Sequence, residues 1–518
     1  MEDTNYPVTN RFLSMFSLTR ENSTLTRIMA GIDSIKKSWF FSYILLALIV
    51  LLATVLRMFS LGSYSFWIDE VITLHRARAV LDGGLPAVLQ NQPSTTMISL
   101  ALAILPTSEW SARIVPALIG IVSLPLLFFP MRRLYGTTPA LIACFVLALS
   151  QWHITWSQNA RFYTTLMLFY ALGLLYFVIS FEERKPGFLI LAGLFLILAY
   201  RERATALLAV PVIFSYLVAT QVFFREKKDQ ITPRNVILIT VIPVLLFILY
   251  DIAGVLVFGR ESVFFQFYAR FVGVTNDATF GALGLILAII FRMGIPLVCI
   301  STIGAIYLLI FKLNSRSAFL LIATLVPLIL LVVLATFSLA RERYYVFAGL
   351  PFWALLTGIA ISKMMSRPDQ YAKIVAVGLV GFLFLDGMST NMLYYFYQNG
   401  NRPDYRAAYE IVASQRSSEA HIVTTHHQQL IVEYYLGEEA ENAYDVDIAT
   451  LDERTEPVWF VVEPVAGPTP PDLLTWLDAN ARLVEVIDVD IPAAPERLKI
   501  YAYGEEAFAM PGNLVHKP

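Results

Sequence analysis

Apolar runs of membrane-spanning length, separated by short polar breaks, recur from residue 40 to about residue 389. No water is available in a bilayer core, so the backbone of such runs must satisfy its own hydrogen bonds, which restricts them to helices. Eleven are read as spans: 40–58, 113–131, 138–156, 162–181, 187–200, 204–224, 235–257, 293–311, 317–338, 345–362 and 371–389. Composition agrees, because only 15% of residues are charged, against about a quarter in soluble domains. The first 39 residues are polar and end in Lys36 and Lys37. The run after them is too long for a signal peptide and lacks a small-residue cleavage site, so it is read as a retained span. Cys144 and Cys299 both lie inside apolar runs and imply no disulfide framework.

Positive charge orients the spans. Lys36–Lys37, Arg132–Arg133, Arg184–Lys185, the cluster Arg225, Lys227, Lys228 and Arg234, then Lys312, Arg316, Lys363 and Arg367 fall on one side. This predicts a plasma-membrane protein with a cytoplasmic N-terminal segment at 1–39. An odd number of spans then leaves the C-terminus outside. From residue 390 the composition changes: 21 Asp and Glu stand against 8 Lys and Arg, a net of −13. The whole chain is −2, so the remainder carries about +11. Helix-like stretches (PDYRAAYEIVASQR, TPPDLLTWLDANA) alternate there with strand-like ones (HIVTTH, PVWFVVE, LVEVIDVDI, RLKIYAY). The expected fold is therefore an all-α polytopic membrane domain over 40–389 plus a small α/β soluble domain over 390–518. No glycine-rich phosphate loop is present to support nucleotide binding.

Arginines on the outer side run against the charge bias and are informative for that reason. They are Arg76, Arg78, Arg113, Arg161, Arg201, Arg203, Arg260, Arg270, Arg341 and Arg343. Singly, each fits an interfacial anchor or a partner for Glu70, Glu202 or Glu342. Together they recur at the ends of several helices, where a bundle can converge them on one anion, and guanidinium binds phosphate bidentately. The first outer segment, 59–112, holds IDEVITLHRARAVLDGG, which suits a helix lying in the interface. A short apolar stretch between Pro93 and Pro106 follows, read as re-entrant or interfacial. Asp69 and Glu70 then border a polar cavity.

WIDE (67–70), QPS (92–94), EWSARIVPALIG (109–120), RRLYG (132–136), SQNARFYTTL (157–166) and RERYYVFAGLP (341–351) occur in one order. In that order and sidedness they resemble the GT-C superfamily of membrane glycosyltransferases, most closely the family 39 type. That type includes dolichyl-phosphate-mannose–protein mannosyltransferases and the aminoarabinose transferases of lipid A. The resemblance runs through most of 50–360. It implies a GT-C-like fold of about 11 spans with interfacial helices in the first outer loop. It also implies a catalytic base at Asp69, and donor-phosphate contacts at Arg161, Tyr163, Arg343 and Tyr344, with Arg113 as a further candidate. The chain departs from the pattern at Asn91-Gln92-Pro93, where relatives often place His or Lys before the prolines. Val71-Ile72 after Glu70 replaces the Thr-Arg of the aminoarabinose branch and argues against that substrate.

The implied reaction moves a sugar from a polyprenyl phosphate to an acceptor hydroxyl. A carboxylate takes the hydroxyl proton, fixed cations stabilise the leaving phosphate, and an interfacial cavity lets the prenyl chain stay in lipid. Glu70 is open to three roles: assisting Asp69, binding a divalent metal (Mg or Mn) with it, or pairing with Arg113. For Asp69 the competing roles are an ion pair with Arg76 and capping of the loop. His75 and His153 read as interfacial or packing residues, and the trio His421, His426 and His427 as strand and following helix. The partners implied are a polyprenyl-phosphate-linked sugar, an acceptor protein, lipid or glycan, and the bilayer, with no nucleic acid. A transporter or flippase would instead show half-to-half similarity and mid-membrane charges. A lipid-diphosphate glycan ligase is chemically close, and a scaffold would leave the arginines unexplained.

Overall fold

The computed structural model describes residues 39–224, 249, 251–257, 282–336, 343–425, 428–451, 456–464, 469–489 and 496–504. Among them, seven helices are long and apolar enough to cross a membrane, or nine if each of two bent pairs is one span. The chain enters with α1 (Trp39–Met58), then α2 (Ile68–Gln90) and α3 (Pro93–Leu102). It continues through α4 (Glu109–Tyr135), α5 (Thr137–Leu149), α6 (Gln151–Ser157), α7 (Tyr163–Glu183) and α8 (Gly187–Glu202). A 3-10 turn (Ala204–Leu208) leads into α9 (Ala209–Phe223), followed later by α10 (Ala282–Met293), α11 (Ile295–Phe311) and α12 (Ser315–Thr336). A second 3-10 helix (Arg343–Gly349) precedes α13 (Leu350–Met365) and α14 (Gln370–Phe396). Ten of the eleven expected spans coincide with these helices, although α8, at 16 residues, is short for one. The eleventh, 235–257, lies mostly outside the described residues.

Two spans differ from straight rods. The expected run 138–156 bends by 63° between α5 and α6, and α10 meets α11 at 102°. A break at membrane depth frees the carbonyls of the last turn, and here all four are satisfied. Val146 accepts from the Ser150 N–H, Arg57 donates to Leu147 and Ala148, and Asn391 donates to Leu149. Arg57 is fully buried and also donates to His153 Nδ1 at 2.8 Å. The bend is therefore set by side chains from α1 and α14, far away in sequence.

The stretch of α13 that crosses the bundle is 89% buried and that of α14 only 17%, so α13 is central and α14 peripheral. Glycines permit the close approaches of α13. A Cβ at Gly358 would stand 2.3 Å from the Pro139 carbonyl of α5, and one at Gly304 the same distance from Leu356 O.

Beyond α14 lie α15 (Tyr405–Gln415), β1 (His421–Thr424), α16 (Gln429–Leu436), β2 (Glu441–Asn442), α17 (Ile448–Leu451), β3 (Val458–Val462), α18 (Pro471–Asn480), β4 (Arg482–Val489) and β5 (Glu496–Tyr503). They form one sheet in the order β2-β1-β3-β5-β4, parallel among β2, β1 and β3, with β5 antiparallel to β3 and β4. Alternation divides β3 between two cores. Val458, Phe460 and Val462 pack with Leu473 and Leu477 of α18. Trp459 and Val461 join Tyr405, Tyr409 and Val412, and that cluster continues into Phe66, Val71, Leu74 and Ala77 around α2. The C-terminal sheet thus shares a core with the α2 helix that carries the candidate site.

Overpacking at the centre should be measurable. Gly358→Ala is expected to cost about 1–3 kcal/mol and lower the melting temperature in detergent. Gly378→Ala on α14, where a Cβ meets nothing within 4 Å, should leave it unchanged. Equal melting of the two variants would contradict the α5–α13 contact.

Candidate active site

The site grows from the first turn of α2. Successive residues on a helix point about 100° apart, so Glu70 turns into the protein and Asp69 turns out. Glu70 has no solvent exposure. Its Oε1 accepts from Arg113 Nε and the Ala160 N–H, both at 2.8 Å. Its Oε2 accepts from Arg113 Nη2 at 2.8 Å and Arg402 Nη1 at 2.6 Å. Burial by itself would push this carboxyl up, but Arg113, then Arg402, and the donated N–H groups hold it below its ordinary value of 4.5.

Arg113 spends its remaining donors on the carbonyls of Leu61, Tyr64 and Ser65. It is fully enclosed, with no N–H left for a phosphate. The sequence expectation for Arg113 is corrected on that ground: it anchors the chain entering α2. Of the three roles open to Glu70, pairing with Arg113 is the one realised. Sharing a metal with Asp69 is not, since both Glu70 oxygens are occupied by cations. Among the described residues no three His, Cys, Asp or Glu side chains come together as a metal site.

Asp69 is a third exposed, its side chain at 35%. Its partner is Arg161, not Arg76: Arg161 Nη2 lies 3.2 Å from Asp69 Oδ2, and Nη1 donates to Asp69 O and to Thr73 Oγ1. The segment bearing Arg161 is docked by Trp67 Nε1 donating to Asn159 Oδ1, and by Gln158 donating to the carbonyls of Arg57 and Phe59. Arg161 also lies over the Phe162 ring, 5.2 Å from its centroid, and Arg203 lies over the same ring at 5.3 Å. Arg203 is partly exposed and has no carboxylate partner among the described residues. Tyr163 packs its ring on Phe162 and Trp156.

The neighbours of Arg203 clamp α2 to α3. Arg201 donates to Val88, Leu89 and Asn91 carbonyls at the end of α2. Buried Glu202 accepts from the N–H and Oγ of Ser94 at the start of α3. Arg343 and Tyr344 open the second 3-10 helix, but their side chains lie outside the described residues. Arg260, Arg270, Arg341, His426 and His427 also lie outside them. Arg402, at the entry to the C-terminal region, was not singled out by sequence reasoning. Its only signal was the lone arginine before PDYRAAYE.

Residues 94–247 match the family model described as dolichyl-phosphate-mannose-protein mannosyltransferase. No curated protein sequence matches the chain. Among solved structures, ArnT from Cupriavidus metallidurans bound to undecaprenyl phosphate is similar at 15% identity. That match covers 88% of this chain and 97% of that one, with a TM-score of 0.56. The oligosaccharyltransferase of Archaeoglobus fulgidus in its apo form is similar at 12% identity, with 82% and 70% coverage and a TM-score of 0.55. The same organism's AglB, in complex with an inhibitory peptide and a dolichol-phosphate, gives 13%, 82%, 70% and 0.53. The chain shares their fold, which is the GT-C fold expected from the sequence.

Glu70→Gln would leave two buried guanidinium groups without a counter-charge, at a cost of about 3–5 kcal/mol. Thermal unfolding should register it as a large fall in stability. Because the folded carboxyl is depressed, its contribution is fully present above its ordinary range and is lost as pH falls through the depressed value. An E70Q protein as stable as the wild type at neutral pH would contradict this assignment.

Proposed function

We propose that this chain is a glycosyltransferase moving a sugar from a polyprenyl-phosphate donor to an acceptor hydroxyl at the outer face of the membrane. The observation that carries the reading is the separation of two adjacent carboxylates. Glu70 is enclosed by arginines, whereas Asp69 is open, oriented by Arg161, and close to the uncommitted cation Arg203. The GT-C fold and the match over 94–247, which includes both arginines, support it. So do the lipid phosphates bound to ArnT and AglB.

In the reaction, Asp69 accepts the proton of the acceptor hydroxyl as that oxygen bonds to the anomeric carbon. The bond from that carbon to the phosphate oxygen breaks, and its electron pair leaves with the polyprenyl phosphate. Charge growing on the phosphate is met by Arg203 and Arg161, with Tyr163, Arg343 and Tyr344 as further contacts. Arg161 thereby serves both sides, fixing the base and facing the leaving group. The positive charge of alternate loops supports a cytoplasmic N-terminus and a 390–518 region outside, on the acceptor side. A diphosphate-linked donor is the second reading and differs only in the group the cations hold.

Donor recognition is testable without knowing the sugar. Purified full-length protein should bind undecaprenyl phosphate far more tightly than undecaprenol. Arg203→Gln should weaken phosphate binding by about ten- to a hundredfold, the weight of a charge-assisted hydrogen bond. Arg203→Lys should recover only part of it. Preference for undecaprenyl diphosphate in the wild type would favour the ligase reading. Unchanged binding in R203Q would remove Arg203 from the donor site.

A further inference from the structure

Two neighbouring strands of the C-terminal sheet send their chains to opposite faces. β1 leads to α16, whose Ile431 and Val432 pack with Trp459 and Val461. β3 leads to α18, whose Leu473 and Leu477 pack with Val458 and Phe460 on the other side. The strands are parallel, so both connections leave from one edge and part there. In open α/β sheets such a parting opens a crevice at the carboxyl ends of the strands, where ligands bind.

Polar side chains furnish this crevice. Thr425 and Gln428 come from the connection after β1, and Glu463 and Thr469 from the connection after β3. The Glu463 N–H donates to Thr425 Oγ1 at 2.9 Å, and the hydroxyls of Thr425 and Thr469 lie 3.3 Å apart. Glu463 Oε1 accepts from the Tyr405 hydroxyl and from Gln428 Nε2, the latter at 3.3 Å. Two acceptors are left over. Glu463 Oε2 takes no hydrogen bond among the described residues, since both side-chain donors go to Oε1. Gln428 is only 8% exposed, and its buried Oε1 has no partner. Turning the amide over would set oxygen against carboxylate oxygen, so Oε1 is the atom that remains.

Glu463 also lacks a counter-charge. Both of its side-chain donors are neutral, and no Lys, Arg or His pairs with it among the described residues. Burial pushes its carboxyl above the ordinary value of 4.5, against the pull of the Tyr405 hydrogen bond. A cation in the crevice would act in the opposite direction to burial. Residues 390–518 carry 21 acidic and 8 basic residues, a net of −13, which draws cations to this region. A neutral polyol could donate to the two oxygens but would leave the carboxylate uncompensated. We infer that this crevice binds a primary ammonium group, which donates to Glu463 Oε2 with the Gln428 carbonyl beside it as second acceptor. Lysine side chains and amino sugars both carry that group. This binding is independent of the donor chemistry proposed for Asp69.

Ligand-observed NMR titrations of the full-length protein in detergent provide the test. The probes are Nα-acetyl-lysine methylamide and glucosamine, each beside its amine-acetylated counterpart. At least one amine should bind about tenfold more tightly than its acetylated form, and which one does so identifies the source of the ammonium. Glu463→Gln, which keeps the side chain's size, should abolish that preference. Glu485→Gln removes the same charge from an exposed position on β4 and should match the wild type. Binding by neither amine, equal binding of amine and acetylated forms, an undiminished preference in a folded E463Q protein, or an equal loss in E485Q would each overturn the proposal.

Discussion

One buried carboxylate, Glu70, ties three distant parts of the chain together. Arg113 comes from 43 residues away at the head of α4 and Arg402 from 332 residues away after α14. Neither guanidinium is tolerable at that depth without a counter-charge, and Glu70 is not tolerable without them. The cluster therefore fixes where α2 begins, and α2 carries Asp69 in its first turn. Around it the C-terminal region is sewn on by further polar contacts. The Tyr435 hydroxyl accepts from the Phe66 N–H and donates to Glu109, which also pairs with Arg406. The apolar core shared by α2, α15 and the sheet continues this joint.

With Glu70 committed to structure, the helical turn presents its neighbour to the opposite side. Asp69 has one cation partner, partial exposure, and a second cation beyond the Phe162 ring. Adjacent carboxylates can thus hold unlike roles because one is saturated with donors and the other is not. The clamp from α8 adds to this. Arg201 and Glu202 fasten the end of α2 and the start of α3, and leave Arg203 directed at the site.

Much of this was legible from the chain alone. Span positions follow from apolar run length, and α2 and α3 from an amphipathic stretch and a proline-bounded short one. The C-terminal strands follow from alternating patterns. The bends were not legible, because what stabilises the α5–α6 break is Arg57 and Asn391, whose approach to that turn is a tertiary fact. Arg113 was misassigned for a related reason. An arginine at a span end looks the same in sequence whether it faces a ligand cavity or a buried glutamate. Arg203 stood among the candidates, but only the shared Phe162 ring distinguishes it from Arg201, which is spent on backbone carbonyls.

The central claim is that Asp69 does chemistry while Glu70 holds the frame. The most direct measurement is turnover of a polyprenyl-phosphate-linked sugar by purified, folded Asp69→Asn protein, with donor affinity measured on the same sample. The substitution keeps the size of the side chain but cannot take up the acceptor's proton. Turnover should fall by at least ~10²-fold while donor affinity stays within a few-fold of the wild type. Retention of more than about a tenth of wild-type turnover, or a parallel loss of donor binding, would contradict the account and place the base elsewhere.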